Sequence, residues 1–238
     1  MPYFFTKRIL LFLLVTLLCL TSRNGWATST QLPTENPIIQ IEPRVEERLR
    51  TMLTQAGYSY PLRATLSFLV FKEERTLEVW LQEESKGLRR LKSYPVLGMS
   101  GFAGPKQRQG DRQVPEGLYQ IIWLNPNSDY HLSMKLDYPN AFDRRKAQEE
   151  GRSQLGGDIF VHGGTSSVGC IAMGNEAIEE LFVMTLMLGT GPAEIVVAPY
   201  DFRRQAAPSH PSLLPHWLPE LYQQIANRLA AYPSIENE

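Results

Sequence analysis

The sequence is poor in histidine and cysteine and almost neutral, and each shortage argues against a class of protein. It contains four histidines and two cysteines, and its formal net charge is −1. Without an overall positive charge, no nucleic-acid partner is predicted. A structural zinc site usually takes four Cys or His ligands, and the histidines at 131, 210 and 216 show no ligand spacing. We therefore predict no metal and no cofactor.

Two further motifs are missing. Glycines 98, 101 and 104 do not form G-x-G-x-x-G and no helical pattern follows them, so a dinucleotide site is not predicted. The serines do not form the G-x-S-x-G elbow of serine hydrolases. The chain is otherwise ordinary for a globular protein, with 238 residues, 43% of them hydrophobic. That length is enough to bury a core.

The N-terminus lacks an apolar run long enough to cross a membrane. The uncharged run from Ile9 to Leu20 has twelve residues, whereas a spanning helix needs about 20. Lys7 and Arg8 precede this run, and Gly25-Trp26-Ala27 follows it, which is the pattern of a secretory signal. We expect residues 1–27 to be a signal peptide cleaved after Ala27, with no stable membrane insertion afterwards. A retained anchor is the alternative.

Removal of the signal would leave a single thiol. Cys19 lies in the segment expected to be removed, so Cys170 would have no intramolecular partner in a compartment that favours disulfides. A leftover cysteine in an exported protein indicates a reactive thiol or an intermolecular bridge. A buried cysteine that acts as a small hydrophobe is the third interpretation.

The hydrophobic pattern predicts a mostly β fold with flanking helices. Residues 28–43 are polar, with three prolines, and predict a linker, followed by a short helix that ends near Gly57. Strands are predicted at 65–71, 76–81, 88–97, 117–124, 157–161 and 194–198. Helices are predicted at 175–188 and, within a proline-rich C-terminal extension (201–238), at 218–232. Residues 98–117 and 125–157 are predicted as long loops, which are often functional in compact domains.

The segment FVHGGTSSVGCIAMGN, residues 160–175, concentrates the chemistry. On a continuous helix or strand, His162 and Cys170 would lie more than about 10 Å apart. Three glycines interrupt regular structure and let the chain fold back: Gly163, Gly164 and Gly169. An adjacent imidazole lowers a thiol pKa from about 8.5 and can later protonate a leaving amine. Gly169 also allows backbone N–H groups to approach a developing oxyanion.

The motif HGGTSSVGCIAM resembles the signature of the L,D-transpeptidase catalytic domain (YkuD-like) family, and most closely its YafK-like branch. The segments at 104–119 and 124–144 contribute to this resemblance, which covers roughly residues 62–200. It implies a sandwich-like, mostly β catalytic domain in the periplasm. It also implies acyl transfer on peptidoglycan stem peptides, at or next to diaminopimelate, through a cysteine thioester.

The resemblance also implies roles for individual residues. Cys170 matches the nucleophile, His162 the base, and the Gly163 carbonyl the group that orients the base. The amides of Gly169 and Cys170 match the oxyanion hole, and Ser167 falls on the serine of the signature, where we predict a substrate contact.

Tyr130 and His131, in the aromatic loop, are further candidates for lining the substrate cleft, although a lone histidine is more often an ordinary residue. Arg144, with Lys106 and Arg108, is a candidate for binding stem-peptide carboxylates, since arginine matches carboxylates with two hydrogen bonds. Solvated loop charges are the alternative for all three.

Departures from the main family pattern leave the reaction open. Val168 and Ala172 stand where many members have a histidine and an arginine, and the loop from His162 to Cys170 is shorter than usual. The YafK-like branch shares the two substitutions and is associated with hydrolysis of amide links to diaminopimelate, including release of a wall-attached lipoprotein. The open alternatives are therefore a transpeptidase, an amidase, a non-catalytic peptidoglycan-binding module and a thiol-linked dimer.

Overall fold

The structure, a computed structural model, describes residues 37–59, 64–83, 85–188, 191–208 and 215–233. The predicted signal peptide and the first part of the predicted linker lie outside the described residues. Within them, the chain forms nine strands and four helices, so the prediction of a mostly β fold with flanking helices is confirmed.

All nine strands belong to one mixed sheet. They are β1 (Thr65–Phe71), β2 (Thr76–Glu83), β3 (Gly87–Pro95), β4 (Gly98–Met99), β5 (Gly117–Ser128), β6 (His131–Leu136), β7 (Phe160–His162), β8 (Ile171–Ala172) and β9 (Glu194–Ala198). Their order across the sheet is β3-β2-β1-β9-β5-β6-β7-β8-β4. Two neighbouring pairs are parallel, β1 with β9 and β7 with β8, and the others are antiparallel.

The long strand β5 joins the two parts of the sheet. Its first residues, Gly117 to Gln120, pair with β9. Its later residues, from Ile121 onward, pair with β6. The strand therefore connects the hydrophobic sheet centre at β1 and β9, through β6, to the short strands β7, which contains His162, and β8, which Cys170 directly precedes.

Helices cover both faces of the central strands. The helices are α1 (Pro37–Gln55), α2 (Ala141–Glu149), α3 (Asn175–Leu188) and α4 (Leu218–Leu229). Residues of α1 and α3 join one face of β1 and β9 in the main core, whereas α4 packs on the opposite face. Strand β1 is therefore buried on both sides, which explains its nearly continuous apolar sequence. None of the helices in the described ranges is both long and apolar enough to cross a membrane.

Helix α4 contributes a substantial part of the second core. Five of its side chains are buried: Leu218, Leu221, Tyr222, Ile225 and Leu229. Burial of each large apolar side chain stabilises the fold by about 1.5–3 kcal/mol. The C-terminal segment therefore packs as part of the folded unit that carries the sheet.

The predicted loop at 125–157 is wrong in part, because it contains β6 and helix α2. Strand β6 lacks alternation since both of its faces are largely buried. Helix α2 is polar and has no apolar stripe; it begins with a capping box in which Asn140 and Asp143 exchange side-chain and backbone hydrogen bonds. The predicted strand at 157–161 is also shorter than expected and begins only at Phe160.

The predicted linker is also wrong where the structure describes it. Helix α1 begins at Pro37, and Ile41 is buried four residues before Val45, so the apolar stripe extends into the polar segment. Pro37 lies in the first turn, where proline is tolerated, whereas Pro43 lies inside the helix, where it lacks the N–H group for one backbone hydrogen bond.

A buried ion pair ties the loop between β4 and β5 to the sheet and to α4. The side chains of Lys72 and Glu116 are 3% and 0% exposed, and the Nζ–Oε1 distance is 2.9 Å. Glu116 also accepts hydrogen bonds from the Gly104 amide at 2.7 Å and from the Tyr222 hydroxyl at 2.9 Å. Lys72 donates to the carbonyls of Gly104 and Val114. These bonds fix both ends of the loop.

Replacing Glu116 with glutamine should therefore destabilise the protein strongly, because it leaves the Lys72 charge buried without its counter-ion. Loss of one partner of a buried pair typically costs about 3–5 kcal/mol. We expect Glu116→Gln to lower the free energy of unfolding in urea by that amount. Glu47→Gln, at an exposed position of α1, should change it by less than about 0.5 kcal/mol. Equal stability of the two variants would contradict this assignment.

Candidate active site

The pairing of β7 with β8 brings His162 and Cys170 to the same face of the sheet. In this parallel pair, His162 is opposite Ala172 and Val161 is opposite Ile171. Cys170 comes directly before β8, and alternation along the strand places it on the same face as Ala172. Paired positions share a face, so the thiol and the imidazole project from one side of the sheet. The predicted fold-back of this segment is thus observed.

A tight turn between these strands requires glycine at Gly163. A Cβ atom at this position would lie 2.5 Å from the Tyr130 carbonyl oxygen and 2.8 Å from the Asn175 side-chain oxygen. The same Asn175 oxygen accepts a hydrogen bond from the Gly164 amide at 2.9 Å. The start of α3 therefore holds the turn in place, with no room for a side chain at Gly163.

The second glycine in contact with the site, Gly169, adopts a backbone conformation that other residues rarely reach. Its φ is +103°, and an added Cβ atom would lie 3.3 Å from the Gln113 carbonyl oxygen. Glycine immediately before the nucleophile candidate thus allows the loop between β4 and β5 to approach closely.

His162 is buried and its tautomer follows from its hydrogen bond. The Nδ1 atom lies 2.6 Å from the Gly163 carbonyl oxygen. Since a carbonyl only accepts, Nδ1 must carry the proton, which leaves the lone pair of the neutral ring on Nε2. The Tyr130 ring covers the imidazole at a centroid distance of 4.7 Å. Burial lowers the pKa of His162, against the opposing effect of the Gly163 hydrogen bond, so the ring is suited to act as a base.

Cys170 is half-buried and is the one free cysteine of the described residues. Its Sγ atom lies 3.8 Å from the Asp158 carbonyl oxygen, to which the thiol donates. Burial raises the pKa of the Cys170 thiol, and the Asp158 charge acts in the same direction, whereas the Phe160 amide and Lys106 lower it. Burial thus favours the neutral forms of both groups, a thiol and a neutral imidazole on the same face of the sheet.

Two serines hold the segment around Cys170. The Ser167 hydroxyl donates to the Cys170 carbonyl at 2.5 Å. The Ser100 hydroxyl accepts the Gly169 amide hydrogen at 2.7 Å and donates to the Arg112 carbonyl at 2.9 Å. The Gly169 amide, predicted as an oxyanion donor, is therefore already hydrogen-bonded in this structure.

Tyr130, His131 and Arg144, the other residues selected from the sequence, have different surroundings. Tyr130 packs on the His162 ring, as described above, and is 55% exposed. The His131 ring is bound through Nε2 to Glu179, at 2.9 Å. Arg144 is exposed on α2 and donates to the Pro139 carbonyl. None of the described contacts joins Arg144 to Cys170 or His162. Its role as a carboxylate ligand stays a prediction.

Lys106 is buried instead of being free to meet a substrate. Its ammonium lies 2.6 Å from an Asp111 carboxylate oxygen and 2.9 Å from the Arg108 carbonyl. Asp111 also accepts hydrogen bonds from the backbone amides of Gln107, Arg108 and Gln113. This lysine therefore stabilises the loop between β4 and β5.

Sequence reasoning missed Ser100, Asn175 and Asp158 as parts of the site. Ser100 and Asp158 reach Cys170 or its neighbour across 69 and 12 positions of sequence, and sequence pattern carries no signal for such contacts. Asn175 was recognisable from the sequence, because asparagine is favoured at the start of a helix. It directly follows Gly174 and is the first residue of α3. In the described part of the chain, no group of three or more His, Cys, Asp or Glu residues is arranged to hold a metal ion.

The crowding at Gly163 predicts that any side chain at this position lowers the stability of the protein. We expect Gly163→Ala to lower the free energy of unfolding by about 1–3 kcal/mol, because the new methyl group meets backbone that must shift. It should also change the reactivity of Cys170 toward iodoacetamide. Gly157→Ala is the matched control, since a Cβ atom there has nothing within 4 Å. If both variants behaved alike, the close approach at Gly163 would not constrain the site.

The neutral dyad predicts a distinctive pH dependence. Alkylation by iodoacetamide requires the thiolate, and the pKa of Cys170 is raised, so the rate should increase with pH to a midpoint above about 8.5. The lowered pKa of His162 means that its protonation should affect the rate only below about pH 6.5. The alkylation rate at each pH is measured by quenching the reaction at timed intervals and counting modified Cys170 by mass spectrometry. A thiolate–imidazolium pair would instead react at a constant rate from about pH 6 upward.

Comparisons with known proteins match the part of the chain that contains this site. The YkuD family model, which describes the L,D-transpeptidase catalytic domain, matches residues 67–197. The Escherichia coli K12 protein named "Putative L,D-transpeptidase YafK" is 39% identical over 137 residues, which are 56% of this chain and 53% of that protein. The chain thus matches about half the length of this curated relative.

Solved structures are also similar, at lower identity. The helical cell shape determining protein Pgp2 from Campylobacter jejuni is 22% identical, with a TM-score of 0.45 over 62% of this chain and 54% of that one. Bd1075 from Bdellovibrio bacteriovorus is 22% identical, with a TM-score of 0.42 over 58% and 49%. The resemblance noted from the sequence is confirmed by the family model, which covers more than half of the chain: the protein belongs to the YkuD family of L,D-transpeptidase catalytic domains.

Proposed function

We propose that the protein is an exported, periplasmic cysteine acyltransferase that acts on peptidoglycan stem peptides, at or next to diaminopimelate. The observation that carries the proposal is the hydrogen bond between His162 Nδ1 and the Gly163 carbonyl. It leaves the lone pair of Nε2 free to accept a proton, on the face of the sheet that also carries Cys170. A base of fixed tautomer beside a thiol is what nucleophilic catalysis by cysteine requires.

In the first step, the Cys170 sulfur attacks a peptide carbonyl carbon while His162 Nε2 takes the thiol proton. Because both groups are neutral at rest, proton transfer accompanies the attack instead of preceding it. The carbonyl oxygen becomes an oxyanion, and the new C–S bond forms. The C–N bond then breaks, His162 returns the proton to the leaving amine, and the acyl group remains on Cys170 as a thioester.

Backbone amides are the proposed oxyanion donors. The Cys170 amide is one of them. The Gly169 amide is bound to the Ser100 hydroxyl, so the oxyanion must displace this hydroxyl if Gly169 is to contribute. One such donor typically changes the rate by about 10²–10³-fold. The Ser100 hydroxyl would then protect the donor from water between turnovers.

In the second step, an acceptor resolves the thioester with His162 again as the base. An amine would give a cross-link or a protein attachment, whereas water would give hydrolysis.

A second candidate function, an amidase that frees a peptide or a wall-attached lipoprotein from diaminopimelate, is favoured by the surroundings of Cys170. Val168 and Ala172 have apolar side chains, the first 75% exposed and the second fully buried, and an apolar side chain offers no hydrogen bond to an acceptor amine.

The two reactions are separated by mass spectrometry of muropeptides and released protein after the purified protein is incubated with sacculi. New cross-links or exchanged amines would establish the transpeptidase. Loss of an amide link at diaminopimelate would establish the amidase. Either activity should fall by at least about 10³-fold in Cys170→Ala, because the nucleophile is gone.

Two controls make this experiment decisive. Sacculus binding by Cys170→Ala shows that the variant still recognises the wall, and its urea unfolding shows that it is folded. If the wild type binds sacculi with a reduced thiol but produces no Cys170-dependent change, the protein is a binding module and the proposed enzyme is rejected. A disulfide-linked dimer on non-reducing electrophoresis would instead indicate a bridging role for Cys170.

A further inference from the structure

An exposed ion pair lies beside the candidate nucleophile. The Lys135 ammonium is 2.6 Å from an Asp158 carboxylate oxygen. The Asp158 side chain is 78% exposed and that of Lys135 is 30% exposed. Both charges are therefore open to a ligand, unlike Lys106 and His131, which are bound to Asp111 and Glu179.

Strand register places this pair at a defined distance from Cys170. Lys135 on β6 is opposite Phe160 on β7, and Cys170 follows in the next position across the sheet, just before β8. Neighbouring strands are about 4.8 Å apart, so the Cα atoms of Lys135 and Cys170 are separated by about 10 Å. The Phe160 ring lies under the lysine, with its centroid 5.8 Å from Nζ, and Phe160 stands between Lys135 and Cys170 in the strand register.

The position of Asp158 is not explained by the reaction at the thiol. Its backbone carbonyl accepts the thiol hydrogen, but its carboxylate opposes formation of the thiolate. Its φ of +54° is also one that residues other than glycine adopt infrequently, although aspartate is among those that do. The Asp158 carboxylate disfavours the thiolate, and its residue adopts an infrequent backbone conformation. Both facts indicate a role other than activation of Cys170.

We propose that Asp158 and Lys135 form a specificity subsite for an acyl donor whose side chain ends in both a free ammonium and a free carboxylate. Asp158 binds the ammonium and Lys135 binds the carboxylate. An exposed ion pair contributes little to stability, so the substrate can exchange its two charges for the internal contact. This inference rests on the proposed function and specifies its donor as a stem peptide with an unmodified amino-acid end on the diamino acid.

The test compares three stem-peptide donors. One has a free amine and a free carboxylate at the end of the diamino-acid side chain, the second has this amine acetylated, and the third has this carboxylate amidated. For the wild type, we expect kcat/KM to fall about 10- to 100-fold with either blocked donor, the range for loss of one charge-assisted hydrogen bond.

Two variants assign the charges. Asp158→Asn should lose about 10- to 100-fold on the free donor, should no longer discriminate against acetylation, and should still discriminate against amidation. Lys135→Gln should show the reverse pattern. Glu47→Gln, a matched loss of one negative charge on α1, should behave as the wild type.

Thiol alkylation separates recognition from damage to the site. Removal of the Asp158 charge favours the thiolate, so Asp158→Asn should react with iodoacetamide at least as fast as the wild type at pH 8. Slower alkylation would show that the substitution disrupts Cys170 and would overturn the assignment. A wild type that turns over all three donors equally would overturn the subsite alone. Absence of Cys170-dependent turnover on the free donor would overturn the proposed function together with the subsite.

Discussion

The site depends on the parallel pairing of two very short strands, β7 and β8, across the residues between His162 and Ile171. Parallel neighbours are usually joined by a crossover of a dozen or more residues that contains a helix. Here the connection runs only from 163 to 170, so it must turn sharply. The close contacts at Gly163 and the positive φ of Gly169 are the consequences. The same constraint places His162 at the end of β7 and Cys170 immediately before the adjacent strand β8.

Burial then sets the chemical state of the pair. It lowers the pKa of His162 and raises that of Cys170, so that neither group is charged at rest. In the proposed mechanism, such a pair forms its nucleophile only as a carbonyl is attacked, and a neutral thiol is less open to oxidation than a thiolate. The loop between β4 and β5 completes the site through Ser100, and the buried pair of Lys72 and Glu116 fixes that loop to the sheet and to α4.

Much of this organisation is readable from the sequence, and the exceptions have physical causes. Helix α3 and strand β9 have the predicted ends because each has a clear apolar pattern. Strand β6 and helix α2 have none, since β6 is buried on both faces and α2 depends on its capping box. His162 and Cys170 stand close in the sequence, with glycines between them, and were identifiable. Ser100 reaches Gly169 through loop closure, and strand pairing brings Lys135 to Asp158; local sequence specifies neither contact.

In the proposed mechanism, Cys170 carries the acyl group during the reaction. The most direct measurement is acid-quenched mass spectrometry of the protein during turnover of a stem-peptide donor, followed by mapping of the peptide that contains Cys170. A thioester intermediate predicts an added mass equal to the donor less its leaving amine, attached at Cys170, sensitive to hydroxylamine and lost on addition of an acceptor. Continued turnover with unmodified Cys170, or an acyl group on another residue, would contradict it.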